Sequence, residues 1–203
     1  MTGFAPLPQL YVSAEAAQGL RAEAARRLRW VMAPAQMRDL ALLMEGALLP
    51  LRGYPGPDAG GPMLEVPAGF AGDLEPGEDI ALCAPGGEVL AMLSVTDRWG
   101  GDPVRLGGRV KGLAPVPGQD AELTPNALRA RFRAAGCSRV VAELGAEAVT
   151  LRPDRGAEVA LAVAGPPAVR AAFARNHGAT HLALAGDAGL DAVAAEVGLE
   201  PLG

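Results

Sequence analysis

The sequence has few aromatic residues and, apart from arginine, few basic ones. Aromatic residues make up 4% of the 203 residues, and Lys111 is the only lysine. Hydrophobic residues nevertheless make up 50% of the chain, so we expect a core of alanine, leucine and valine side chains rather than one built on large rings. A chain of this length predicts one or two small domains.

Cysteine and long hydrophobic runs are also scarce. Cys83 and Cys137 lie far apart and match neither a disulfide framework nor a metal-binding spacing, so we expect two reduced thiols. The most apolar stretch, Leu40–Leu51, is interrupted by Glu45 and Pro50 and is too short to span a bilayer. The first residues lack the charged start and apolar run of a signal peptide. A soluble, cytoplasmic protein without a transmembrane segment is therefore expected.

The charge balance is acidic, with a formal net charge of −5 and a pI near 5.1. Surfaces that bind nucleic acid are usually basic, so we expect no nucleic-acid partner. One local exception is the predicted first helix, whose arginines are Arg21, Arg26, Arg27 and Arg29. This group fits either an anion site or a solvated helix face, and we favour the solvated face.

The first 123 residues predict two helices followed by short strands. Ser13 is placed to cap a helix that runs from Ala14 to about Trp30. Pro34 begins a second helix, which Gly46 ends. The β-type runs that follow are Leu64–Val66, Ile80–Cys83, Val89–Thr96, Val104–Leu106 and Val110–Leu113. The paired glycines at 86–87 and 107–108 are interpreted as hairpin turns rather than phosphate-binding loops.

The remaining residues, 124–203, predict helices and strands in alternation. Thr124 can cap a helix that Pro125 begins and Gly136 ends. Strands are predicted at 140–142, 149–151, 159–163 and 180–185, with one helix from Pro166 or Pro167 to Asn176 and another at 190–197. This alternation predicts a parallel sheet. The loop after the first of these strands is where such a domain places its active site, but its residues 143–147 read Glu-Leu-Gly-Ala-Glu, an unusual content for a catalytic loop.

The order of short motifs along the chain carries a family resemblance. The stretches concerned are Leu10–Ser13, Arg38–Met44, Pro50–Tyr54, Leu74–Leu82, Val89–Asp97, Leu106–Gly108, Thr124–Arg129, Arg139–Ala142 and Arg175–His181. None of them is specific alone, but together and in this order they resemble the ATP sulfurylase (sulfate adenylyltransferase) family. The similarity is greatest to the form of this family that is fused to an adenylylsulfate kinase.

The resemblance implies a fold as well as a family. Residues 1–123 would form N-terminal helices and a PUA-like small β domain. Residues 124–203 would form a truncated, nucleotidyltransferase-like α/β domain like that of ATP sulfurylase. The expected fold class is thus α+β for the first part and α/β for the second.

The stretches that bind ligand in the family are the ones that differ here. The resemblance implies Gln-Thr-Arg-Asn-Pro and then two histidines, where this chain has residues 144–148, Thr150 and Pro153. A later Gly-Arg-Asp-His-Ala-Gly motif is replaced by residues 185–189, without its arginine and histidine. Transfer at phosphorus needs cationic or hydrogen-bonding groups aimed at developing charge. We therefore expect no catalytic residue, no cofactor and no enzymatic activity.

A few residues remain as low-affinity ligand candidates. The resemblance leaves as residual binding residues Asn176, His177, Gly186 and Asp187. The segment around Asp187 is either a phosphate-facing turn or, as we favour, an ordinary strand-to-helix turn. The only histidines, His177 and His181, are four apart, but Gly178 between them should end the helix, so no metal site is expected.

The combined expectation is a pseudoenzyme. We expect a non-catalytic, ATP-sulfurylase-like protein that acts as an interaction module or accessory subunit of a larger assembly. Loss of part of a catalytic domain would expose apolar surface, which predicts a protein partner, of unknown identity. The first alternative is a weak binder of an adenine nucleotide or sulfate-like anion that regulates sulfur metabolism. RNA binding through the PUA-like domain and active sulfate adenylyltransferase are remote alternatives.

Overall fold

A computed structural model describes residues 4–72, 74–183 and 188–202. The helices in these ranges are α1 (Ala14–Ala24), α2 (Pro34–Met44), α3 (Ala68–Ala71), α4 (Pro125–Ala134), α5 (Pro167–Asn176) and α6 (Ala188–Val197). The strands are β1 (Leu28–Val31), β2 (Gly53–Tyr54), β3 (Leu64–Val66), β4 (Asp79–Cys83), β5 (Val89–Gly100), β6 (Val104–Gly112), β7 (Val140–Leu144), β8 (Ala148–Pro153), β9 (Val159–Ala162), β10 (His181–Ala183) and β11 (Glu200–Leu202).

The chain divides into two compact units. The N-terminal unit is formed by Gln9–Gly46 and Pro50–Gln119. The C-terminal unit takes its described residues from Met1–Pro8, Ala47–Leu49 and Asp120–Gly203. The division at residue 124 into an N-terminal and a C-terminal domain stays a prediction.

The N-terminal unit is built on a mixed sheet with the order β1-β4-β5-β6-β2, in which β3 also pairs with β6. The predicted hairpin around residues 86–87 is confirmed, because β4 and β5 pair antiparallel across it. The second helix is also confirmed: it begins at Pro34, and the following Gly46 takes a φ of 79°.

The prediction of one helix from Ala14 to Trp30 is wrong. Ser13 does cap α1, since its hydroxyl oxygen accepts a hydrogen bond from the amide of Ala16 at 3.3 Å. The helix ends at Ala24, however, and Leu28–Val31 becomes β1, which pairs parallel with β4. Backbone pairing along the sheet edge therefore outweighs local helix propensity.

The prediction of a hairpin turn at residues 107–108 is also wrong. Both glycines lie inside β6, a single strand that runs through Val104–Gly112. Gly108 is paired on one side with Val95 of β5 and on the other with Tyr54 of β2. Glycine in a strand interior often marks a close approach of backbones, which is its role here.

The C-terminal unit contains a second mixed sheet, with the order β11-β10-β7-β8-β9. The predicted parallel sheet is wrong for half of the pairings, because β7, β8 and β9 are antiparallel neighbours. The connections between these three strands are too short to hold a crossover helix, so only antiparallel pairing is open to them. Only β10 with β7 and β10 with β11 pair parallel among the described strands of this sheet.

Helix α4 matches its sequence signals closely. The Thr124 side chain accepts from the amide of Ala127 at 3.4 Å, and Pro125 is the first helical residue. Gly136, just beyond the helix, takes a φ of 67°, which suits a helix end. The helices at 167–176 and 190–197 are confirmed as well, the latter beginning slightly earlier.

The cores are aliphatic and small-residue-rich, as the composition predicts. In the N-terminal unit, Ala17 and Ala24 of α1 pack against Ala81, Cys83 and Met92 of the sheet. Such small residues let the helix approach the sheet closely. Among the described residues, no helix has the length and hydrophobicity that crossing a membrane requires.

Candidate functional site

The first predicted ligand residue, Asn176, is buried with 2% of its surface exposed. Its side-chain amide donates hydrogen bonds to the carbonyl oxygens of Ala47 and Leu49, each at 3.0 Å. Its side-chain oxygen accepts from Arg175 at 3.1 Å. The amide thus ties the segment at 47–49 to the end of α5 within the C-terminal unit. Its proposed ligand role stays a prediction.

The two histidines have different environments. His177 is 2% exposed, and its Nδ1 lies 2.8 Å from the carbonyl oxygen of Phe173. His181 contacts Thr180 through Nδ1 at 2.8 Å and Glu200 through Nε2 at 3.1 Å. The part of the chain that the structure describes contains no group of three or more histidine, cysteine, aspartate or glutamate side chains placed to hold a metal ion.

Burial of His177 makes the stability of the protein depend on pH. Burial, only partly offset by the bond to Phe173, lowers the pKa of His177 from 6.5 to about 4. The unfolded chain therefore takes up this proton at higher pH than the folded chain does. We expect the free energy of unfolding to fall by about 2 kcal/mol from this group as the pH is lowered from 7 to about 4.5.

Urea unfolding followed by circular dichroism at several pH values measures this loss. Carboxylates titrate in the wild type and in His177→Gln alike. The difference between the two profiles of unfolding free energy against pH therefore gives the contribution of His177. The His177→Gln profile should be flatter across this range. Parallel profiles would show that His177 does not carry the linkage.

The other predicted site positions lie in a hairpin connection or outside the described residues. Gly186 and Asp187 fall outside the described residues, so their role stays a prediction. The expected active-site loop at 143–147 consists of the last two residues of β7 and the three-residue connection of the β7–β8 hairpin. Its Glu143 forms an ion pair with Arg152 at 2.9 Å. The loop therefore joins two antiparallel strands, although it lies at the carboxyl end of β7, which pairs parallel with β10 on its other side.

The N-terminal unit contains an open cleft that the sequence patterns did not predict. Its volume is about 340 Å³, and the lining residues are Gln9, Leu10, Tyr11, Arg52, Arg109, Val110 and Lys111. Arg109 and Lys111 are two residues apart on β6 and are both exposed, so they project from the same face of the strand. Between them Val110 is buried on the opposite face.

Backbone hydrogen bonds bring the other walls of the cleft to the same edge of β6. The amide of Val110 donates to the carbonyl oxygen of Arg52 at 3.1 Å. Two residues farther along, the amide of Gly112 donates to the carbonyl oxygen of Leu10 at 2.9 Å. Alternate amides of one strand edge thus hold Arg52 and the segment around Tyr11 side by side.

A carboxylate behind the cleft is already engaged in hydrogen bonds. The Tyr11 hydroxyl donates to Glu45 Oε1 at 2.7 Å, and Gln9 Nε2 donates to Glu45 Oε2 at 2.5 Å. Burial, and then the hydrogen bond and charge of Glu45, raise the pKa of Tyr11 far above its ordinary value. Tyr11 therefore stays a neutral phenol, and the cleft itself presents mainly the positive charges of Arg52, Arg109 and Lys111.

The cleft has a sequence signal, although a weak one. Arg109 and Lys111 alternate with apolar residues on a β-type run, and alternation predicts a shared strand face. Placing a turn at residues 107–108 obscured this, because it shortened the strand that carries both cations. Arg52, more than 50 residues earlier, has no local signal that links it to them.

Comparison with known proteins finds a likeness in structure and none in sequence family. No family model matches the chain, and a search of curated proteins finds no match. A solved structure, "Hexameric APS kinase from Thiobacillus denitrificans", superposes with a TM-score of 0.74. The likeness is to an APS kinase. Sequence identity is 23%, and the match covers 97% of this chain and 55% of that chain.

This likeness establishes a shared fold and leaves activity open. At 23% identity the two chains share an architecture, and this chain spans 55% of the length of its APS kinase neighbour. A common fold does not by itself imply a common function. The activity, substrates and partners of this chain therefore do not follow from the likeness alone.

The comparison corrects the family expected from the motifs. A solved structure that shares the fold over 97% of this chain is that of an APS kinase, so the identification as an ATP sulfurylase (sulfate adenylyltransferase) relative is wrong. The expected PUA-like domain and truncated nucleotidyltransferase-like domain are likewise wrong, and the fold is instead the mixed α/β architecture shared with that kinase chain. Short motifs, each unspecific alone, are insufficient to identify the fold of this chain.

The expected function is corrected by the same finding. A non-catalytic accessory subunit, or pseudoenzyme, was inferred from the loss of sulfurylase ligand motifs. That inference is wrong because it rested on a sulfurylase-like fold, whereas a solved structure that shares the fold of this chain is that of an APS kinase, an enzyme.

Proposed function

We propose that this protein is kinase-like in fold and binds an adenine nucleotide, as an assembly of several copies of the chain. The observation that carries the proposal is the TM-score of 0.74 to an APS kinase over 97% of this chain. That APS kinase is hexameric, which supports a self-assembled state here. The cationic cleft supports binding of an anionic ligand.

The sequence limits how the nucleotide would be held. It contains no G-x-x-x-x-G-K-S/T motif, the glycine-rich loop that cradles phosphates in many nucleotide-binding proteins. Its only lysine, Lys111, instead lies on a strand in the wall of the cleft. Recognition of phosphate or sulfate groups is therefore expected to use side-chain cations on a sheet, with Arg52 and Arg109 as further candidates.

Nucleotide binding predicts a ligand-dependent rise in melting temperature. A ligand that binds only the folded state at about 100 times its Kd stabilises that state by about 2.7 kcal/mol. For a protein of this size the melting temperature should rise by roughly 5–10 °C. Differential scanning fluorimetry with ATP and with APS (adenylyl sulfate) measures the shift.

Adenosine and sodium chloride at matched ionic strength are the controls, since neither supplies a phosphate or sulfate group on a nucleoside. Light scattering on the same samples gives the molar mass. An unchanged melting temperature at millimolar ATP and APS would contradict nucleotide binding. A monomer mass would contradict the assembly.

A further inference from the structure

The cations of the cleft differ from most arginines of the protein in having no internal partner. Elsewhere, Arg105 pairs with Glu65 at 3.0 Å, and Arg21 donates to the carbonyl oxygen of Leu113 at 2.5 Å. Within the described ranges, the side chains of Arg52, Arg109 and Lys111 form neither an ion pair nor a hydrogen bond. Positive charges gathered without partners repel one another, so an anion between them would stabilise the arrangement.

The nearby carboxylate does not neutralise these cations. Both oxygens of Glu45 accept hydrogen bonds from Tyr11 and Gln9, which face the cleft from the adjoining segment. No ion pair within 4.0 Å joins Glu45 to Arg52, Arg109 or Lys111 in the described structure. An acidic protein, with a net charge of −5, therefore keeps a locally positive cleft.

The donors suit a compact, doubly charged oxyanion. Guanidinium groups present planar, paired N–H donors that match the oxygens of phosphate and sulfate, and an ammonium adds a point charge. The volume of about 340 Å³ lies near the lower end of the range for small-molecule sites. The cleft is thus large enough for a tetrahedral group with a modest body attached.

We infer that the cleft lined by Arg52, Arg109 and Lys111 is a binding site for a tetrahedral dianion, either a sulfate group or a phosphate monoester. This inference does not depend on the proposed function, because an inorganic anion alone satisfies the site. The gathering of three unpartnered cations in one cleft of the described structure carries it. Tyr11 and Gln9 close the wall and hold Glu45 away from the anion.

Isothermal titration calorimetry with sodium sulfate at low ionic strength tests the site directly. Wild type should bind, and Arg109→Glu or Lys111→Glu should each weaken binding by at least about 30-fold, because each replaces an attraction with a repulsion. Lys111→Arg keeps the charge and should bind within about threefold of wild type. Added sodium chloride should weaken binding, since the charges are open to solvent.

Arg26→Glu is the matched control. Arg26 is exposed in the same unit, lies outside the cleft, and changes the net charge by the same amount when replaced by glutamate. Its sulfate affinity should stay within about threefold of wild type. Trp30 and Trp99 both lie in this unit, so tryptophan fluorescence reports whether each variant is folded. Lys111→Gln provides a milder variant with little reason to misfold.

The pH dependence identifies which anion the site prefers. AMP loses its second phosphate charge as the pH falls through about 6, so its affinity should drop about tenfold from about pH 7.5 to about pH 5. Sulfate keeps both charges, so its affinity should change little. A phosphate site binds AMP more tightly than sulfate at the higher pH, and a sulfate site shows the reverse. Both results support the inference.

Several outcomes would overturn the inference. Failure of both sulfate and AMP to bind at low ionic strength would do so, whether or not ATP raises the melting temperature. Equal sulfate affinity in wild type, Arg109→Glu and Lys111→Glu would place any binding elsewhere. Sulfate binding with no nucleotide-dependent shift would support the cleft while contradicting the proposed function, so the two can fail separately.

Discussion

Gly108→Ala is expected to destabilise the N-terminal unit by about 4 kcal/mol or more. A Cβ atom at Gly108 would lie 2.1 Å from the carbonyl oxygen of Ser94 and 2.9 Å from its carbonyl carbon. Both are backbone atoms of β5, which cannot rotate away as a side chain would. Relief requires β5 and β6 to separate, which breaks hydrogen bonds at the centre of the sheet. Gly53→Ala meets the same obstacle, because its Cβ would lie 2.0 Å from the carbonyl oxygen of Gly108.

Urea unfolding followed by tryptophan fluorescence measures this effect, because Trp30 and Trp99 both belong to the N-terminal unit. The matched control is Gly86→Ala in the β4–β5 connection, where nothing lies within 4 Å of the added Cβ. That variant should stay within about 0.5 kcal/mol of wild type. Equal effects of Gly86→Ala and Gly108→Ala would contradict the close approach of the strands.

Asn176→Ala should lower the stability of the C-terminal unit by about 3 kcal/mol. The substitution removes two hydrogen bonds to the carbonyl oxygens of Ala47 and Leu49 and leaves both acceptors in a largely dry environment. It also leaves a small cavity beside the end of α5. Hydrogen exchange of peptides covering 167–183, followed by mass spectrometry, measures the local loss, since the tryptophans lie in the other unit.

Asn176→Asp separates the hydrogen bonds from the packing. Aspartate has nearly the same volume as asparagine but presents oxygens where the amide nitrogen donates, so it faces the two carbonyl oxygens with repulsion. This variant should be destabilised at least as much as Asn176→Ala. A tolerated Asn176→Asp would mean that volume, and not the donated hydrogen bonds, holds the 47–49 segment in place.

The sequence predicted those elements whose signals are local. Helix α4 begins and ends where Thr124, Pro125 and Gly136 indicate, and α2 begins at Pro34. The β4–β5 hairpin lies where its glycine pair predicts a turn. Capping and turn chemistry act within a few residues, so the chain carries this information independently of its tertiary contacts.

Predictions from local sequence signals were wrong where pairing with a distant segment determines the secondary structure. Leu28–Val31 continues a helical pattern, but the availability of β4 as a parallel partner makes it a strand. A glycine pair predicts a turn at 86–87 and at 107–108 alike. At 107–108 the same residues are required because β2 and β5 approach β6 from both sides. No property of the pair itself distinguishes the two cases.

The candidate site likewise combines features that follow from local sequence with features that only the tertiary structure creates. Alternation along β6 places Arg109 and Lys111 on one face, which the sequence alone implies once the strand is placed correctly. Arg52 joins them only because its carbonyl oxygen accepts the amide of Val110. The predicted ligand residues Asn176 and His177 are buried and bonded to backbone carbonyls, an environment that polar residue type alone does not reveal.

By itself, the sequence determined the helix boundaries set by caps, the hairpin at 86–87, the aliphatic character of the core and the acidic overall charge. These features depend only on composition and on neighbours along the chain. The tertiary structure alone decided the mixed order of both sheets, the strand identity of Leu28–Val31 and the meeting of Arg52 with Lys111. These features depend on pairing between segments far apart in sequence, whose energy is realised only when both partners are in place.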